Sequence, residues 1–458
     1  MAIKRVLIAN RGEIAVRIAR ACRKLGVETV LACSEADRAS LASRMVDRIV
    51  CIGPAQAMHS YLDQDAVITA AVGAGCDALH PGYGFLSERA SFRRLCDEAG
   101  VRFIGPHAEA IATMGDKLTA LRLARANGVP TIPGCDALMS ASDAETEARR
   151  IGLPVILKAS AGGGGRGMRV VRASEEIESA FAAASAEARA AFGDGTLYME
   201  KYIERARHIE VQVFGDTHGT IVHLGERDCS VQRRHQKLIE EAPSPVVDGP
   251  LRKSLTAAAL RLAKAASYVG AGTVEFIVDL DSKAYYFLEM NTRIQVEHPV
   301  TEEITGMDLV SEQIRVAAGE PLSFLQGDVT LSGHAIECRI NAEEVDAGFM
   351  PCPGAIVEWQ QPDAAGVRVD THCYPGYAIP PFYDSMIGKL IVLGEDRREA
   401  IEKTLSALDR FVIGGVQTTL PFSRAIVADD DFRRSAVTTD WLEHVFLPRY
   451  LNDAEVRR

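Results

Sequence analysis

The sequence predicts a chain of mixed α/β and α+β class that is divided into several domains. Short apolar segments alternate with amphipathic helices from the N-terminus to residue 106. A glycine-rich run lies between two strand-like segments in the middle, and strand-like segments dominate the last third. The chain has 458 residues, more than one hydrophobic core usually organises, so two to four domains are expected.

The composition is that of a globular protein and excludes several classes. A net charge of -11 disfavours a nucleic-acid surface, because phosphate binding needs a positive field. The ten cysteines occur singly, without a C-x-x-C pair, which indicates reduced thiols and no structural zinc. No apolar run is long enough for a secretory signal or a bilayer span, so we expect a cytoplasmic protein without a membrane partner.

The N-terminal region, residues 1–114, predicts a Rossmann-like domain. Its first segments are an apolar strand, a helix with apolar residues at helical spacing, and a second strand: "KRVLIA", "EIAVRIARACRKLG" and "VETVLAC". Strands joined by helices in this way form parallel sheets. The first turn, residues 10–12, has no G-x-G-x-x-G, so no dinucleotide site is expected there.

Residues 115–330 predict an α+β domain with a small lid over about residues 131–203. Helices are expected at 116–127 and 174–192, and the stretch "VILKASAGGGGRGMRVV" lies between them. Its glycines match G-x-G-x-x-G, but a strand follows where a dinucleotide site needs a helix, and no P-loop motif occurs. The run is either a mobile surface loop or a hairpin that folds over phosphates, with Lys158 adding a positive charge.

A second hairpin in this domain predicts a metal site. Two strand-like runs flank Ser282 in "AGTVEFIVDLDSKAYYFLEMNTR", and reflection about Ser282 places Glu275 opposite Glu289. Opposed carboxylates destabilise a strand pair unless a cation lies between them. Asn291 falls on the same face, so three oxygen ligands suited to Mg²⁺ converge. The alternative is a pair of solvated carboxylates, which leaves the neighbouring apolar Phe276 and Phe287 unexplained.

The remaining chain is predicted to form a strand-rich C-terminal domain over residues 331–446, followed by a polar tail at 447–458.

The glycine-rich hairpin, its lysine and the later Glu/Glu/Asn set together resemble the ATP-grasp ligases. A closer resemblance to biotin carboxylases rests on stretches found in the same order along nearly the whole chain. These are "IANRGEIAVRIARACRKLG", "HPGYGFLSE", "MGDK", "KASAGGGGRGMRVV", "YMEKYI", "RHIEVQV", "ERDCSVQRRHQK", "EMNTRIQVEHPVTE", "ECRINAE" and "FYDSMIGKL". The resemblance implies an ATP-grasp fold with a Rossmann-like N-terminal domain, a mobile glycine-rich lid and a strand-rich C-terminal domain.

Biotin carboxylases use ATP to activate bicarbonate as carboxyphosphate and then carboxylate a ureido nitrogen of biotin. The resemblance implies ATP, Mg²⁺ or Mn²⁺ as cofactors, with the metal on Glu275, Glu289 and Asn291. It implies ATP contacts from Lys117, Lys158, Gly164, Gly165, Glu200, Lys201, Tyr202, Ile203, His208, Gln232 and His235.

The stretch "RIQVEH" also predicts an anion site from its own spacing. In an extended segment Arg293, Gln295 and Glu297 share one face, which combines a planar cation, an amide and a carboxylate. Bicarbonate suits this trio, because Arg293 can hold it bidentately and Glu297 can accept its proton. The resemblance makes Arg293 catalytic and Glu297 the general base, and it adds bicarbonate contacts from Lys237 and the backbone of Val296.

The resemblance places Arg339 of "ECRINAE" against the biotin ureido oxygen, where it stabilises developing negative charge. It assigns no protein base to the ureido proton, because phosphate released from carboxyphosphate takes it. Cys229 precedes His235 closely enough to suggest a cysteine nucleophile, but no oxyanion motif accompanies it. A bystander thiol is therefore expected.

The expected partners are other proteins of a multi-component carboxylase. No Met-Lys dipeptide of a biotin carrier occurs, so the biotin carboxyl carrier protein and the carboxyltransferase are expected in trans, most plausibly within acetyl-CoA carboxylase. The resemblance suggests a homodimer. Two alternatives are another ATP-grasp ligase, which joins a carboxylate to an amine through an acyl phosphate, and a nucleotide-binding regulatory protein without turnover. "RIQVEHPVTE" and "FYDSMIGKL" disfavour the first, and the intact set of charged residues disfavours the second.

Overall fold

The computed structural model describes residues 2–160 and 168–456. Within these ranges no helix is both long and apolar enough to cross a membrane. Helices and strands alternate at first, and strands become dominant after residue 205, as the sequence predicts.

A parallel five-stranded sheet forms the core of the N-terminal region. Its strand order is β3-β2-β1-β4-β5, and each neighbouring pair runs parallel. The helix after the first strand is buried over most of its length, because apolar residues recur at helical spacing around it. The predicted Rossmann-like sheet is thus confirmed. The elements are β1 (Arg5–Ile8), α1 (Gly12–Lys24), β2 (Glu28–Cys33), α2 (Leu41–Met45), β3 (Arg48–Cys51), α3 (Gln64–Gly73), β4 (Ala78–His80), α4 (Ala90–Glu98), β5 (Arg102–Phe103) and α5 (Ala108–Gly115).

A small antiparallel sheet and two helices form the region predicted as a lid. The sheet order is β6-β9-β7-β8, and Leu138, Val155 and Met199 belong to a separate small core. Val155 pairs with Val171 across β7 and β8, so two antiparallel strands do flank the glycine run. The run itself, residues 161–167, lies outside the described residues. The elements here are α6 (Lys117–Ala126), β6 (Gly134–Leu138), α7 (Ala141–Ile151), β7 (Val155–Ala159), β8 (Arg169–Val171), α8 (Ile177–Phe192) and β9 (Leu197–Lys201).

Five long strands follow and form most of the largest sheet. They bury their apolar residues against helices, and α9 covers the face that carries Val211, Val274 and Phe276. The elements are β10 (Ala206–Gly215), β11 (Ile221–Arg233), β12 (Gln236–Ala242), α9 (Gly249–Ala265), β13 (Gly270–Asp279), β14 (Tyr285–Asn291), α10 (His298–Thr305) and α11 (Leu309–Ala317).

The largest sheet continues into the C-terminal region without interruption. Its eight strands lie in the order β14-β13-β10-β11-β12-β15-β22-β20, and β12 is hydrogen-bonded to β15. The two domains expected on either side of residue 330 therefore share one hydrogen-bonded sheet. The elements are β15 (His334–Asn341), β16 (Glu343–Glu344), β17 (Met350–Pro351), β18 (Gly354–Ala355), β19 (Glu358–Gln360), β20 (Val367–Thr371), β21 (Ala378–Ile379), β22 (Met386–Gly394), α12 (Arg397–Arg410), β23 (Val412–Gly414), α13 (Leu420–Ala428), α14 (Asp430–Arg433) and α15 (Leu447–Val456).

The expectation of a polar tail from residue 447 is wrong for its first part. Those residues begin α15, and Leu447 and Tyr450 pack against the C-terminal core. The ring of Tyr450 lies edge-on to Phe422, with ring centroids 5.0 Å apart. These two apolar side chains attach the helix to the C-terminal core.

Candidate active site

A cleft of about 1000 Å³ is lined by residues of the small sheet and of the large sheet. It contains residues from the lid strands, from β10 to β14, and from the C-terminal strands. Seventeen of the residues predicted from the sequence line it: Lys117, Lys158, Lys201, Tyr202, Ile203, His208, Gln232, His235, Lys237, Glu275, Glu289, Asn291, Arg293, Gln295, Val296, Glu297 and Arg339.

Three of the predicted residues are not among the cleft lining. Glu200 lies behind it and accepts a hydrogen bond of 2.5 Å from Lys158 Nζ. Gly164 and Gly165 belong to residues 161–167, outside the described chain. Whether they contact a nucleotide stays a prediction.

Lysines gather at the lid side of the cleft. Lys158 ends the apolar strand β7, which places its ammonium at the cleft while Val155 and Leu157 enter the lid core. Lys117 begins α6 and donates to the Tyr198 hydroxyl at 3.2 Å. Both ammonium groups are thus positioned to attract phosphate oxygens.

Lys201 is already occupied within the lid. Its Nζ donates to the carbonyl oxygens of Gly152 and Leu153, at 3.0 and 2.8 Å. Because its ammonium is hydrogen-bonded to the loop before β7, we expect the nucleotide contacts of residues 200–203 to come from groups other than this ammonium.

A row of charged residues crosses four strands of the large sheet. Arg227 on β11 is paired with Glu210 on β10, which is paired with Glu275 on β13, which is paired with Glu289 on β14. Directly paired residues share one face, so three carboxylates stand side by side. The predicted pairing of Glu275 with Glu289 is confirmed.

The pairing of Glu275 with Glu289 does not arise from a regular hairpin centred on Ser282. Near the turn Val278 pairs with Tyr285 and Phe276 with Phe287, a register that would place Glu275 opposite Leu288. A β-bulge adds one residue at Leu288 and shifts the register by one. This irregularity brings the two carboxylates together on one face.

Lys237 binds three carboxylates at once. Its Nζ lies 2.6 Å from Glu210, 3.1 Å from Glu275 and 2.6 Å from Glu297. Burial would lower the pKa of Lys237, but these three charges raise it well above its ordinary value. His208 Nε2 lies 2.7 Å from Glu275 Oε2. Burial alone would raise the pKa of Glu275, but Lys237 and His208 lower it, so Glu275 is ionised.

Glu289 has the opposite electrostatic environment. Burial and the charge of Glu275 raise its pKa, and within the described chain it has no hydrogen-bonded or ion-paired partner. Asn291 donates its amide to Glu275 Oε1 at 2.8 Å and accepts from Arg293 at 3.0 Å. An unpaired carboxylate beside an ionised one and an amide is a donor set that suits a hard divalent cation.

The segment at residues 293–297 is not the extended strand that its alternation suggests. It bends at residues 292–293 and turns at 296–297 before α10 begins. Arg293, Gln295 and Glu297 nevertheless all line the cleft, while Ile294 enters the core beneath. The prediction of a strand is wrong. The three side chains line one cleft, and their role as a bicarbonate site stays a prediction.

Glu297 lies between two cations. Oε1 accepts from Lys237 at 2.6 Å and Oε2 accepts from Arg339 at 2.9 Å. Its side chain is only 2% exposed. Burial would raise its pKa, but Lys237, Arg339 and Arg227 lower it well below the ordinary value. Glu297 is therefore an ionised acceptor at neutral pH.

The backbone carbonyl of Val296 is used by a residue outside the predicted set. The fully buried Lys389 donates to it at 2.6 Å and lies 3.1 Å from Glu13. A bicarbonate contact from Val296 is thus left to its N–H group.

Four charged residues that hold the site were missed in the sequence. Glu88 binds Arg293 at 2.9 Å, and Glu240 binds Arg339 at 2.6 Å. Glu210 binds Lys237, and Arg227 donates to Glu210 and to Gln295. Charged residues within long apolar strands were the available signal for Arg227 and Glu210, because a buried charge needs a partner. Glu88 ends the quoted stretch "HPGYGFLSE", but nothing in that stretch links it to Arg293.

Cys229 is fully buried beneath this cluster. Burial and the charge of Glu210 raise the pKa of its thiol well above the ordinary value. A thiol that stays protonated is a poor nucleophile, which agrees with the expected bystander.

Sequence models of three families match consecutive parts of the chain. Residues 2–111 match the biotin carboxylase N-terminal domain, residues 116–325 the ATP-binding domain of the carbamoyl-phosphate synthase L chain, and residues 337–444 the biotin carboxylase C-terminal domain. The fold and the site are those of an ATP-grasp ligase.

Whole-chain comparisons agree with the family models. Biotin carboxylase 1 of Bacillus subtilis is 52% identical over 442 residues, 96% of this chain and 98% of that protein. A subunit of the pyruvate carboxylase of Methanothermobacter thermautotrophicus is 51% identical over 457 residues, 99% and 92% of the two chains. The chain belongs to the biotin carboxylase family and is an enzyme that carboxylates biotin with ATP.

Two solved structures extend the similarity to the whole fold. The biotin carboxylase of Campylobacter jejuni, a complex with β,γ-ATP according to its description, has a TM-score of 0.90 at 49% identity, covering 96% and 98% of the chains. The biotin carboxylase domain dimer of Hydrogenobacter thermophilus 2-oxoglutarate carboxylase contains MgADP and bicarbonate. Its TM-score is 0.89 at 47% identity, covering 97% and 98%.

Proposed function

We propose that three parts of the cleft bind the three substrates: a nucleotide end, a bicarbonate centre and a biotin end. The nucleotide end contains Lys117, Lys158, His208, Gln232, His235 and residues 200–203. The centre contains Arg293, Gln295, Lys237, Glu297 and the N–H of Val296. At the biotin end is Arg339.

A divalent cation fits the row of carboxylates. Glu275, Glu289 and Asn291 would hold Mg²⁺ or Mn²⁺, because the unpaired Glu289 faces a second ionised carboxylate. When bound, the cation neutralises phosphate charge in the transition state. Glu289 lies directly opposite Glu275 and has no hydrogen-bonded or ion-paired partner among the described residues, which supports this fit.

Bicarbonate is activated by Glu297 in the first step. Arg293 holds the anion, and Glu297 accepts its proton as a bicarbonate oxygen attacks the γ-phosphorus of ATP. The P–O bond to ADP breaks, and carboxyphosphate forms. Glu297 is unprotonated before the reaction, because Lys237 and Arg339 lower its pKa, and it is therefore free to accept the proton.

Biotin is carboxylated in the second step. Carboxyphosphate releases CO₂ and phosphate, the phosphate takes the proton of the ureido nitrogen, and this nitrogen bonds to CO₂. The guanidinium of Arg339 stabilises negative charge on the ureido oxygen. No protein side chain needs to remove the ureido proton.

The observation that carries this assignment is the position of Glu297. A single buried carboxylate contacts both Lys237 of the bicarbonate centre and Arg339 of the biotin end. The base and the biotin-binding cation are thus held together, so the two steps share one location.

Release of ADP tests this function. Purified protein with MgATP should release ADP only when bicarbonate is present, and free biotin should increase the rate. Turnover without bicarbonate would favour the other ATP-grasp ligase, and binding of ATP without turnover would favour a regulatory protein.

We further infer that biotin arrives on a separate carrier protein and that a separate carboxyltransferase uses the product. One of the relatives is itself a subunit of a pyruvate carboxylase, which supports this arrangement. The dimer of the Hydrogenobacter domain supports a homodimer. Acetyl-CoA or a related acyl-CoA is the acceptor we favour. Sedimentation of the pure protein and transfer assays with carboxylated carrier test these points.

A further inference from the structure

Arg339 is held from two sides by carboxylates. Its Nε donates to Glu240 Oε1 at 2.6 Å, and one terminal nitrogen lies 2.5 Å from the same oxygen. This terminal nitrogen also donates to Glu297 Oε2 at 2.9 Å. Glu297 belongs to the bicarbonate centre, whereas Glu240 has no role in the reaction described above.

Glu240 is inaccessible to substrate. It lies on β12 directly opposite Glu337 on β15, and both side chains are completely buried. Glu240 Oε2 and both carboxylate oxygens of Glu337 have no hydrogen-bond partner among the described residues. Two buried carboxyl groups at paired positions, one of them without any hydrogen bond, cost stability and call for a functional reason.

The charges around Glu240 come from every neighbouring element. Burial raises the pKa of Glu240 to about 7, Arg339 opposes this rise, and Glu297 adds to it. Burial also raises the pKa of Glu337 well above its ordinary value, although the charge of Lys389 opposes this rise. The facing groups are Arg339 and Glu337 on β15, Cys229 on β11, Lys237 on β12 itself, and Glu297 before α10.

We propose that Glu240 is a positioning residue for the biotin step, which fixes the Arg339 guanidinium at the place where the ureido oxygen of biotin binds. The inference rests on the function proposed for Arg339. An arginine side chain has several rotatable bonds, so its planar head stays in one position only when fixed acceptors hold it.

Glu240 and Glu297 hold Arg339 differently. Glu297 changes its charge when it accepts the bicarbonate proton, so its bond to Arg339 weakens during the first step. Glu240 does not take part in that transfer and keeps its two contacts with Arg339. The guanidinium therefore remains in position for the second step.

A substitution that preserves shape tests the inference. Glu240→Gln keeps one acceptor oxygen but removes the charge. The measured quantity is the ratio of ADP release with saturating biotin to ADP release without biotin, both with bicarbonate. Loss of a charge-assisted hydrogen bond should lower this ratio about 10- to 100-fold. The matched control is Glu337→Gln, equally buried on the same face but not bonded to Arg339, which should leave the ratio at the wild-type value.

A pH profile separates positioning from a structural role. In the wild type the ratio should rise as the pH passes through about 7, where Glu240 becomes ionised and its bonds to Arg339 become charge-assisted. In Glu240→Gln this rise should be absent. The quotient removes the pH dependence of bicarbonate itself, because bicarbonate enters both rates.

Three results would overturn the inference: a wild-type ratio in Glu240→Gln, an unchanged pH profile, or an equal loss in Glu337→Gln. If Glu240→Gln does not fold, Glu240→Asp is the deciding variant. We expect its ratio to be lower than that of the wild type and to keep the rise with pH. Arg339→Gln separates the proposed role of Arg339 in the biotin step from the role of Glu240 in positioning Arg339. If it leaves the ratio unchanged, the proposed role of Arg339 fails; if it lowers the ratio while Glu240→Gln does not, only the positioning role fails.

Discussion

Glu297→Gln separates proton transfer from binding at the centre of the cleft. Glutamine has nearly the same shape and keeps one acceptor oxygen, but it cannot accept a proton at neutral pH. Lys237 keeps its contacts with Glu210 and Glu275, and Arg339 keeps Glu240. The neighbouring cations therefore retain partners, and the cleft should keep its form.

The expected size of the effect follows from the role of a general base. Such a group typically contributes roughly 10²- to 10⁴-fold to the rate. The turnover number should fall by a factor in this range, while the Michaelis constant for ATP stays near that of the wild type, because no nucleotide residue changes. The new amide group faces Lys237 or Arg339, both donors, so the free energy of unfolding should fall by only about 1–3 kcal/mol.

The assay is steady-state ADP release with saturating bicarbonate and biotin, accompanied by thermal unfolding. Glu303→Gln is a suitable control, because Glu303 lies on α10, which begins directly after Glu297, binds Arg368 and does not line the cleft. Its turnover should equal that of the wild type. Wild-type turnover in Glu297→Gln, or a loss of ATP affinity as large as the loss of turnover, would show that Glu297 is not the base.

Three further predictions concern one carboxylate that lines the cleft and two buried charges. Glu289→Gln should greatly reduce metal-dependent ATP use yet raise stability without metal by up to about 1 kcal/mol, since an opposed like charge disappears; unchanged Mg²⁺ dependence would contradict this. His334 and Arg397 lower the pKa of the buried Glu241 to about 2 against the opposing effect of burial. The ionised Glu241 thus stabilises the fold by about 3 kcal/mol above pH 4.5, and this contribution is lost as the pH falls towards 2. In Glu241→Gln the free energy of unfolding, measured with urea, should depend less on pH across this range. Lys389→Met should lower the free energy of unfolding by about 3–5 kcal/mol, because it removes the only cation ion-paired with the buried Glu13 among the described residues, and a loss of less than about 1 kcal/mol would refute this.

Local patterns in the sequence were sufficient for the element types. The alternation of strands and helices predicts the parallel sheet β1–β5, and the strands around the glycine run follow from their apolar runs. The prediction of a polar tail from residue 447 was wrong, because Leu447 and Tyr450 pack against the C-terminal core.

The details of the site depended on irregular and distant features. The bulge at Leu288, which brings Glu275 opposite Glu289, has no glycine or proline to mark it. Glu240 and Arg339 are 99 positions apart, and Glu88 and Arg293 are 205 apart. Such pairs arise from strand order and loop placement, which a single sequence does not specify. The resemblance to a known family identified the residues that line the cleft, but not the buried carboxylates that hold their cations.

Transfer of oxygen from bicarbonate to phosphate tests the central claim most directly, because that claim is attack of bicarbonate on the γ-phosphorus of ATP. The protein would be incubated with MgATP, biotin and bicarbonate labelled with ¹⁸O, and the released phosphate analysed by mass spectrometry. If bicarbonate attacks the γ-phosphorus, each released phosphate carries one oxygen derived from bicarbonate. Phosphate whose new oxygen comes from water would contradict it.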